Sequence, residues 1–207
     1  MKAGIVPVTP LQQNCSLIWC TATNKGALVD PGGDLEKLKA AVAKTGVELE
    51  KILITHGHID HAAGAYLFDD AVVYAHSDEH SFLRGETSGE GITGRLAGKL
   101  PKSHRVHDKR LRVISDEENI SVAGLTVRAH AIPGHTNGSM AYQVGDTIFM
   151  GDAMYFDVHN QVQLPPPIIT PKQKFATQSL VASIKKLQAQ NIKVVVPSHS
   201  GEGTFEA

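Results

Sequence analysis

Three histidines and one aspartate fall within six consecutive positions of this chain, at His56, His58, Asp60 and His61, in the heptapeptide Thr-His-Gly-His-Ile-Asp-His that spans 55–61. The run Lys51-Ile52-Leu53-Ile54-Thr55 precedes them and reads as a buried strand. Imidazole and carboxylate are the side chains that hold zinc, iron or manganese at neutral pH. Crowded onto one strand end, four such groups are costly unless a cation sits among them. The fold must therefore present this strand end at a rim where further ligands can converge on it.

The remaining candidates stand at comparable places. His135 follows the apolar run Leu125–Ile132, Asp152 follows Thr147–Met150 and Gly151, and His199 follows Lys193–Val196. Loops at one rim of a rigid sheet are where sites are usually assembled. Three neutral imidazoles (His56, His58, His135) suit one tetrahedral cation with its fourth position open, the catalytic pattern. Asp60, His61 and His199 suit a second cation, and the two oxygens of Asp152 can bridge both. Two dications set against two aspartates and a shared hydroxide leave the centre with about one positive charge, which attracts an anionic group or a developing oxyanion. Two divalent ions are the expected cofactors; nitrogen and oxygen ligands favour zinc and also accept iron or manganese.

The rest of the chain reads as two blocks of strands with helices between them. Gly4–Thr9, Cys15–Thr21 and Gly26–Val29 are short, β-rich runs separated by turn residues. Asp34 is placed to cap a helix in which Leu35, Leu38, Ala41 and Val42 repeat at helical spacing. A helix is expected from His61 to about Phe68, a strand over Val72–Ala75, and a short helix capped by Ser77 that runs through Leu83. Strands resume at Ile120–Val122, Leu125–Ile132, Met140–Val144 and Thr147–Met150. Thr170-Pro171 opens a last helix with Leu180, Ile184 and Leu187 as its buried stripe. The expected architecture is an αββα four-layer sandwich, two mixed sheets flanked by helices, over 1–207 as one domain. Residues 84–112 carry no clear pattern beyond the glycines of Gly85–Gly98 and a basic run, Lys99, Lys102, Arg105, Lys109, Arg110 and Arg112, which reads as a solvated face.

A formal net charge of -1 and 42% hydrophobic residues give no general reason to expect a nucleic-acid or membrane partner. No apolar stretch approaches the roughly 20 residues that span a bilayer. Met1–Pro10 lacks the charged-then-apolar pattern of a signal peptide, so a cytoplasmic location is expected. Cys15 and Cys20 are separated by an odd number of positions in one strand, which puts them on opposite faces as reduced thiols. His76, His80, His104, His107, His130 and His159 stand outside the constellation and read as solvated or core residues; His159 shares a loop with Tyr155. The oligomeric state is left open.

The constellation resembles that of the metallo-β-lactamase superfamily, whose mark is His-x-His-x-Asp-His followed by a later His, Asp and His; all seven ligand positions are filled. Gln13-Asn14-Cys15-Ser16-Leu17-Ile18-Trp19, Asp30-Pro31-Gly32-Gly33, Thr55-His56-Gly57-His58 and Pro133-Gly134-His135-Thr136 are similar to the glyoxalase II-like branch. The resemblance implies the metallo-β-lactamase fold and a binuclear hydrolase acting on a small, possibly anionic acyl substrate, a thioester above all, with Asp60 and Asp152 orienting the nucleophile. Where relatives end the last strand Pro-Gly-His-Gly, this chain has Pro197-Ser198-His199-Ser200. The helical C-terminal region by which full glyoxalase II enzymes bind glutathione has no counterpart after His199, so glutathione recognition is not carried over. Tyr155, three residues after Asp152, is similar to the tyrosine of acyl-homoserine lactonases, in which the phenol helps hold the substrate carbonyl; a half-buried loop tyrosine is the other reading. Persulfide dioxygenases, with a single iron, share much of the motif and are the rival of a different reaction class.

Overall fold

Strands of this chain carry apolar residues on both faces, as sheets sandwiched between two layers require. Leu53 packs into one cluster while Ile52 and Ile54 pack into another, and all three are fully buried. Phe149 and Val196 face inward in the same way, with Ile148, Met150 and Val195 on the opposite side.

The computed structural model describes residues 2–7, 13–86, 105–165 and 173–205. The first sheet comprises β1 (Lys2–Pro7), β2 (Asn14–Cys20), β3 (Lys25–Val29), β4 (Glu48–Leu53), β5 (Val72–Ala75) and β6 (Leu111–Val113), in that spatial order. β1–β3 pair antiparallel and β3–β6 parallel. The second sheet contains β7 (Asn119–Val122), β8 (Leu125–Ala131), β9 (Met140–Val144), β10 (Thr147–Gly151) and β13 (Val194–Pro197), ordered 13-10-9-8-7. β10 and β13 are parallel, and β8 is antiparallel to β9, which is antiparallel to β10. β8, β10 and β13 therefore end at a common rim. A two-stranded hairpin, β11 (Tyr155–Phe156) and β12 (Val162–Gln163), follows that rim.

The central core lies between the sheets, where Ile18, Val29 and Leu53 meet Val127, Tyr142 and Phe149. On the outer face of the first sheet, Leu38 and Val42 of α1 (Leu35–Thr45) pack on Leu17 and Leu28. Ala62 of α2 (Ile59–Ala62) and Leu83 of α3 (His80–Leu83) cover Ile52 and Val73. On the outer face of the second sheet, α4 (Gln173–Gln188) buries Leu180, Ile184 and Leu187 against Ile148 and Val195. Four layers, αββα, result, as the sequence predicts.

Asp34 caps α1 by accepting the Lys37 N–H at 3.1 Å. The helix expected over 61–68 is two short pieces, α2 and a 3-10 turn at Ala65–Leu67. Gly64 is the reason: its N–H bonds the Pro31 carbonyl at 2.6 Å instead of continuing the helix, and a Cβ there would meet that same oxygen. The Ser77 cap is also corrected, since His76 Nδ1 accepts the Asp78 N–H at 3.3 Å and begins a 3-10 turn over Ser77–Glu79 that leads into α3. Arg110 is not on a solvated face. It is buried, and its guanidinium bonds the carbonyls of Ala65, Phe68 and Ala71. Lys109 and Arg112 are exposed, whereas Lys99 and Lys102, most of the Gly85–Gly98 run, His104 and the Thr170-Pro171 helix start lie outside the described residues. Cys15 is fully buried, Cys20 is half-buried, and both are free thiols. No helix among the described residues is long and apolar enough to cross a membrane.

Candidate metal centre

The strand ends deliver seven side chains to one place. His56 and His58 follow β4, Asp60 and His61 lie on α2, His135 follows β8, Asp152 follows β10, and His199 follows β13. The rim that carries them is held rigid. Asn14 donates from its backbone to the Ser198 carbonyl at 2.7 Å, and from its amide to the carbonyls of Pro197 and Ser200. Ser198 N–H reaches the Gly151 carbonyl at 3.0 Å, and Met140 N–H reaches that of Thr55 at 2.8 Å. Gly151 has φ +56, and a Cβ there would lie 2.8 Å from Thr55 Cβ, so only glycine lets β10 close on β4.

Two sets of ligand atoms form. In the first, His56 Nε2 and His58 Nδ1 are 3.0 Å apart, and His135 Nε2 lies 3.2 and 3.1 Å from them. Asp152 Oδ2 completes it, 3.3 Å from His135 and 3.8 Å from His56. The other oxygen, Oδ1, faces the second set, 3.2 Å from His61 Nε2 and 3.3 Å from His199 Nε2. Asp60 Oδ2 stands 3.7 Å from His61 and 3.5 Å from His199. Atoms bound about 2.0–2.1 Å from one tetrahedral zinc lie about 3.3–3.4 Å from each other. The separations given, 3.0–3.8 Å in the first set and 3.2–3.7 Å in the second, bracket that spacing, and either set could hold a cation. Asp152 Oδ1 and His61 Nε2 are buried and face each other at 3.2 Å as an ion contact, without an aligned hydrogen bond to any described residue. Buried polar atoms left so are uncommon without a ligand to satisfy them.

The electrostatics divide along the same line. Burial and the neighbouring imidazoles hold His56 well below the ordinary histidine range, and His58 is lowered to about 4 for the same reasons. His135 is also lowered, chiefly by burial. These three rings are neutral at pH 7, with lone pairs available. In the second set burial acts against charge but is overridden. Asp152 and Asp30 raise His61 well above its ordinary value, and Asp152 and Asp60 raise His199 to about 10. Asp152 and Asp60 resist burial in turn and are lowered, with His61 and His199 the main counter-charges. Exposure rises across the centre, from 1% at His56 and His135 to 13% at Asp152, 20% at Asp60 and 28% at His199. His61, in the second set, is fully buried, so solvent reaches the centre past Asp60 and His199.

Tyr155 opens β11 and is half-buried. Among the described residues no side-chain hydrogen bond joins it to the seven, although Phe156 N–H, next along, bonds Ser200 Oγ at 3.0 Å. His80 and His130 are core residues, and His159 is exposed at the hairpin turn. Asp116, Glu117 and His130 also cluster, but Lys186 already lies 3.2 Å from Asp116 and 2.7 Å from Glu117.

Residue patterns alone did not identify the groups that orient these ligands. Asp30 reads as part of a turn, yet it is 1% exposed in a left-handed conformation with φ 50, which is uncommon for a non-glycine residue. Its Oδ2 lies 3.0 Å from His61 Nδ1 and accepts the Thr55 hydroxyl at 2.6 Å, while Oδ1 accepts the Thr55 N–H at 2.8 Å. Thr55 Oγ1 lies 3.1 Å from His56 Nδ1. Carboxylates and hydroxyls of this kind fix the tautomer and ring angle of a ligating histidine. The available signal was positional: Asp30 ends β3, the direct neighbour of β4.

Known proteins share sequence and fold with this chain. Over 65 residues, 31% of this chain and 30% of the relative's own length, the chain is 46% identical to hydroxyacylglutathione hydrolase GloC of Haemophilus influenzae. It superposes on the crystal structure of the BLEG-1 B3 metallo-beta-lactamase with a TM-score of 0.79 at 23% identity, covering 98% of this chain and 94% of that one. With the crystal structure of TTHA1623 in a di-iron-bound form the TM-score is 0.72 at 25% identity, over 97% and 94% of the two chains. The family model of the metallo-beta-lactamase superfamily matches residues 8–199, from before β2 to the last of the seven residues, and the chain belongs to that superfamily.

Proposed function

We propose that this protein is a binuclear metal-dependent hydrolase of small acyl substrates, with a thioester as the substrate class. One observation carries the reading: the two oxygens of Asp152 face separate ligand sets, Oδ2 toward His135 and Oδ1 toward His61 and His199. That is the arrangement of a carboxylate that bridges two cations. Similarity to a hydroxyacylglutathione hydrolase supports the substrate class. His56, His58, His135 and Asp152 would hold one ion, and Asp60, His61, His199 and Asp152 the other. Two divalent cations there would supply hydroxide at neutral pH and positive charge for a carbonyl oxygen becoming an oxyanion.

The chain's own groups do the rest. Asp60 and Asp152 would orient the attacking water toward the carbonyl, with Asp60 on the more exposed side. Asp30 and Thr55 keep the His61 and His56 rings fixed while charge develops. A thiolate leaves without much help from a general acid, which fits a site whose acids are all accounted for as ligands. Zinc is the proposed metal, with iron the alternative that the di-iron relative supports. The test is turnover of short acyl-thioesters by zinc-loaded protein; a rate no higher than that of metal-free protein would defeat the proposal.

A lactonase reading rests on Tyr155, whose strand is tied beside His199 through Phe156 and Ser200. There the phenol would donate to the substrate carbonyl. Tyr155→Phe should slow lactone opening at least tenfold if this is right, and leave it unchanged if the ring only packs. One iron per chain with sulfite produced from a persulfide would displace both hydrolase readings.

A further inference from the structure

We propose that Glu79 is a positioning residue that fixes His135 against His56 and His58, and so sets how tightly the first ligand set holds a divalent cation. The inference rests on the metal-centre reading but not on any choice of substrate. Glu79 closes the 3-10 turn at Ser77–Glu79 and is 1% exposed. Among the described residues no lysine or arginine pairs with it. Its carboxylate is instead shared between the two loops that supply the three imidazoles. Oε2 accepts the N–H of Gly57, the residue between His56 and His58, at 2.7 Å. Oε1 accepts the Gly138 N–H at 3.0 Å and the hydroxyl of Thr136, the residue after His135, at 2.8 Å. Thr136 is held in turn by Ser139, whose Oγ accepts its N–H at 3.0 Å.

Two further observations point the same way. A Cβ on Gly57 would lie 3.0 Å from Glu79 Oε2, and one on Gly138 would lie 2.6 Å from Oε1, so both loops approach the carboxylate where only glycine fits. His135 also lacks what the His56 and His61 rings have. Asp30 faces His61 Nδ1 at 3.0 Å and Thr55 Oγ1 faces His56 Nδ1 at 3.1 Å, but His135 Nδ1 is buried with no hydrogen-bond partner among the described residues. With no partner on its Nδ1, the edge turned away from the other ligands, His135 depends on its backbone for placement, and Glu79 holds that backbone. Only a carboxylate serves, because both oxygens must accept; a glutamine in this place would turn its NH₂ toward one of the N–H donors.

The experiment measures zinc affinity by chelator competition in two backgrounds, His199→Ala, which leaves the first set intact, and His58→Ala, which leaves the second. Glu79→Gln should weaken zinc in the His199→Ala background by about 10-fold and Glu79→Ala by about 100-fold, the range found for lost outer partners of metal ligands. Neither should change affinity in the His58→Ala background. Glu79→Gln preserves volume and carries the test if Glu79→Ala does not fold. Unchanged affinity in the first background, or equal losses in both, would overturn the inference and leave Glu79 a folding residue. If the parent chain binds no zinc at all, the metal-centre reading itself fails and the inference with it.

Discussion

Cation binding to this centre should expel protons, and the structure fixes how many. His56, His58 and His135 are held below the ordinary histidine range, with His58 at about 4, so near neutral pH they have no protons to lose. Asp60 and Asp152 are lowered and already ionised. His61 and His199 are raised, the latter to about 10, and each carries a proton on the Nε2 that faces Asp152. Loading both sets therefore releases two protons, one from each ring. His61 keeps its Nδ1 proton for Asp30. A raised pKa means that the proton is bound below that value, so acid opposes binding and the overall constant for two zinc ions rises with pH. The slope is about tenfold per proton per unit, hence about a hundredfold between pH 6 and 7, or about 2.7 kcal/mol. That window extends no higher than the value of about 7 at which zinc-bound water itself ionises. Calorimetric titration in two buffers of different ionisation enthalpy counts the protons directly. His199→Gln should lower the count by one. A count of zero, or a binding constant flat across the window, would refute the assignment of charge to the second set.

Other consequences follow from the groups around the ligands. Asp30→Asn keeps the shape of the side chain but turns an NH₂ toward either the His61 ring or the Thr55 N–H, and zinc affinity measured by competition should fall about 10–100-fold. Gly151→Ala puts a Cβ on a residue at φ +56 and 2.8 Å from Thr55 Cβ; the left-handed conformation alone costs about 1–2 kcal/mol, so the melting temperature should drop by about 2–8 °C. Arg110→Met leaves the carbonyls of Ala65, Phe68 and Ala71 without their donor and should cost about 3 kcal/mol in urea unfolding, with no effect on zinc binding.

The seven candidate ligands were legible because each follows an apolar run, and apolar runs locate strand ends well. Lys51–Thr55, Leu125–Ile132 and Lys193–Val196 each bring a histidine to the rim, and the error in their bounds is one to three residues. The αββα layering was legible for a related reason: inward and outward residues alternate within strands that are apolar throughout, and α1 and α4 show one buried stripe each. The pattern failed where one backbone contact overrode propensity. The segment after His61 has helical composition, but the bond from Gly64 to Pro31 across 33 positions breaks it. Arg110 sits in a basic run and is nevertheless buried, because the carbonyls it satisfies come from a turn about 40 residues earlier.

The same limit explains why the supporting groups of the centre were harder to see than the ligands. A metal ligand belongs to a residue type with few other uses at a strand end, so spacing alone exposes it. Asp30 and Glu79 are acids in turns, where acids are commonplace. What sets them apart is burial, to 1% exposure in both, with no lysine or arginine paired to either among the described residues, and that is decided by tertiary packing. An anion kept out of water is retained only if several donors are aimed at it. In this chain the donors are Thr55 for Asp30, and Gly57, Thr136 and Gly138 for Glu79. All belong to the loops that carry His56, His58 and His135. The two carboxylates thus bind the ligand loops at separate points, one through the His61 ring and Thr55, the other through Gly57 and the backbone around His135. Stability spent on burying them is recovered as a fixed spacing of the ligand atoms, which is the property on which both metal affinity and the aim of a nucleophile depend.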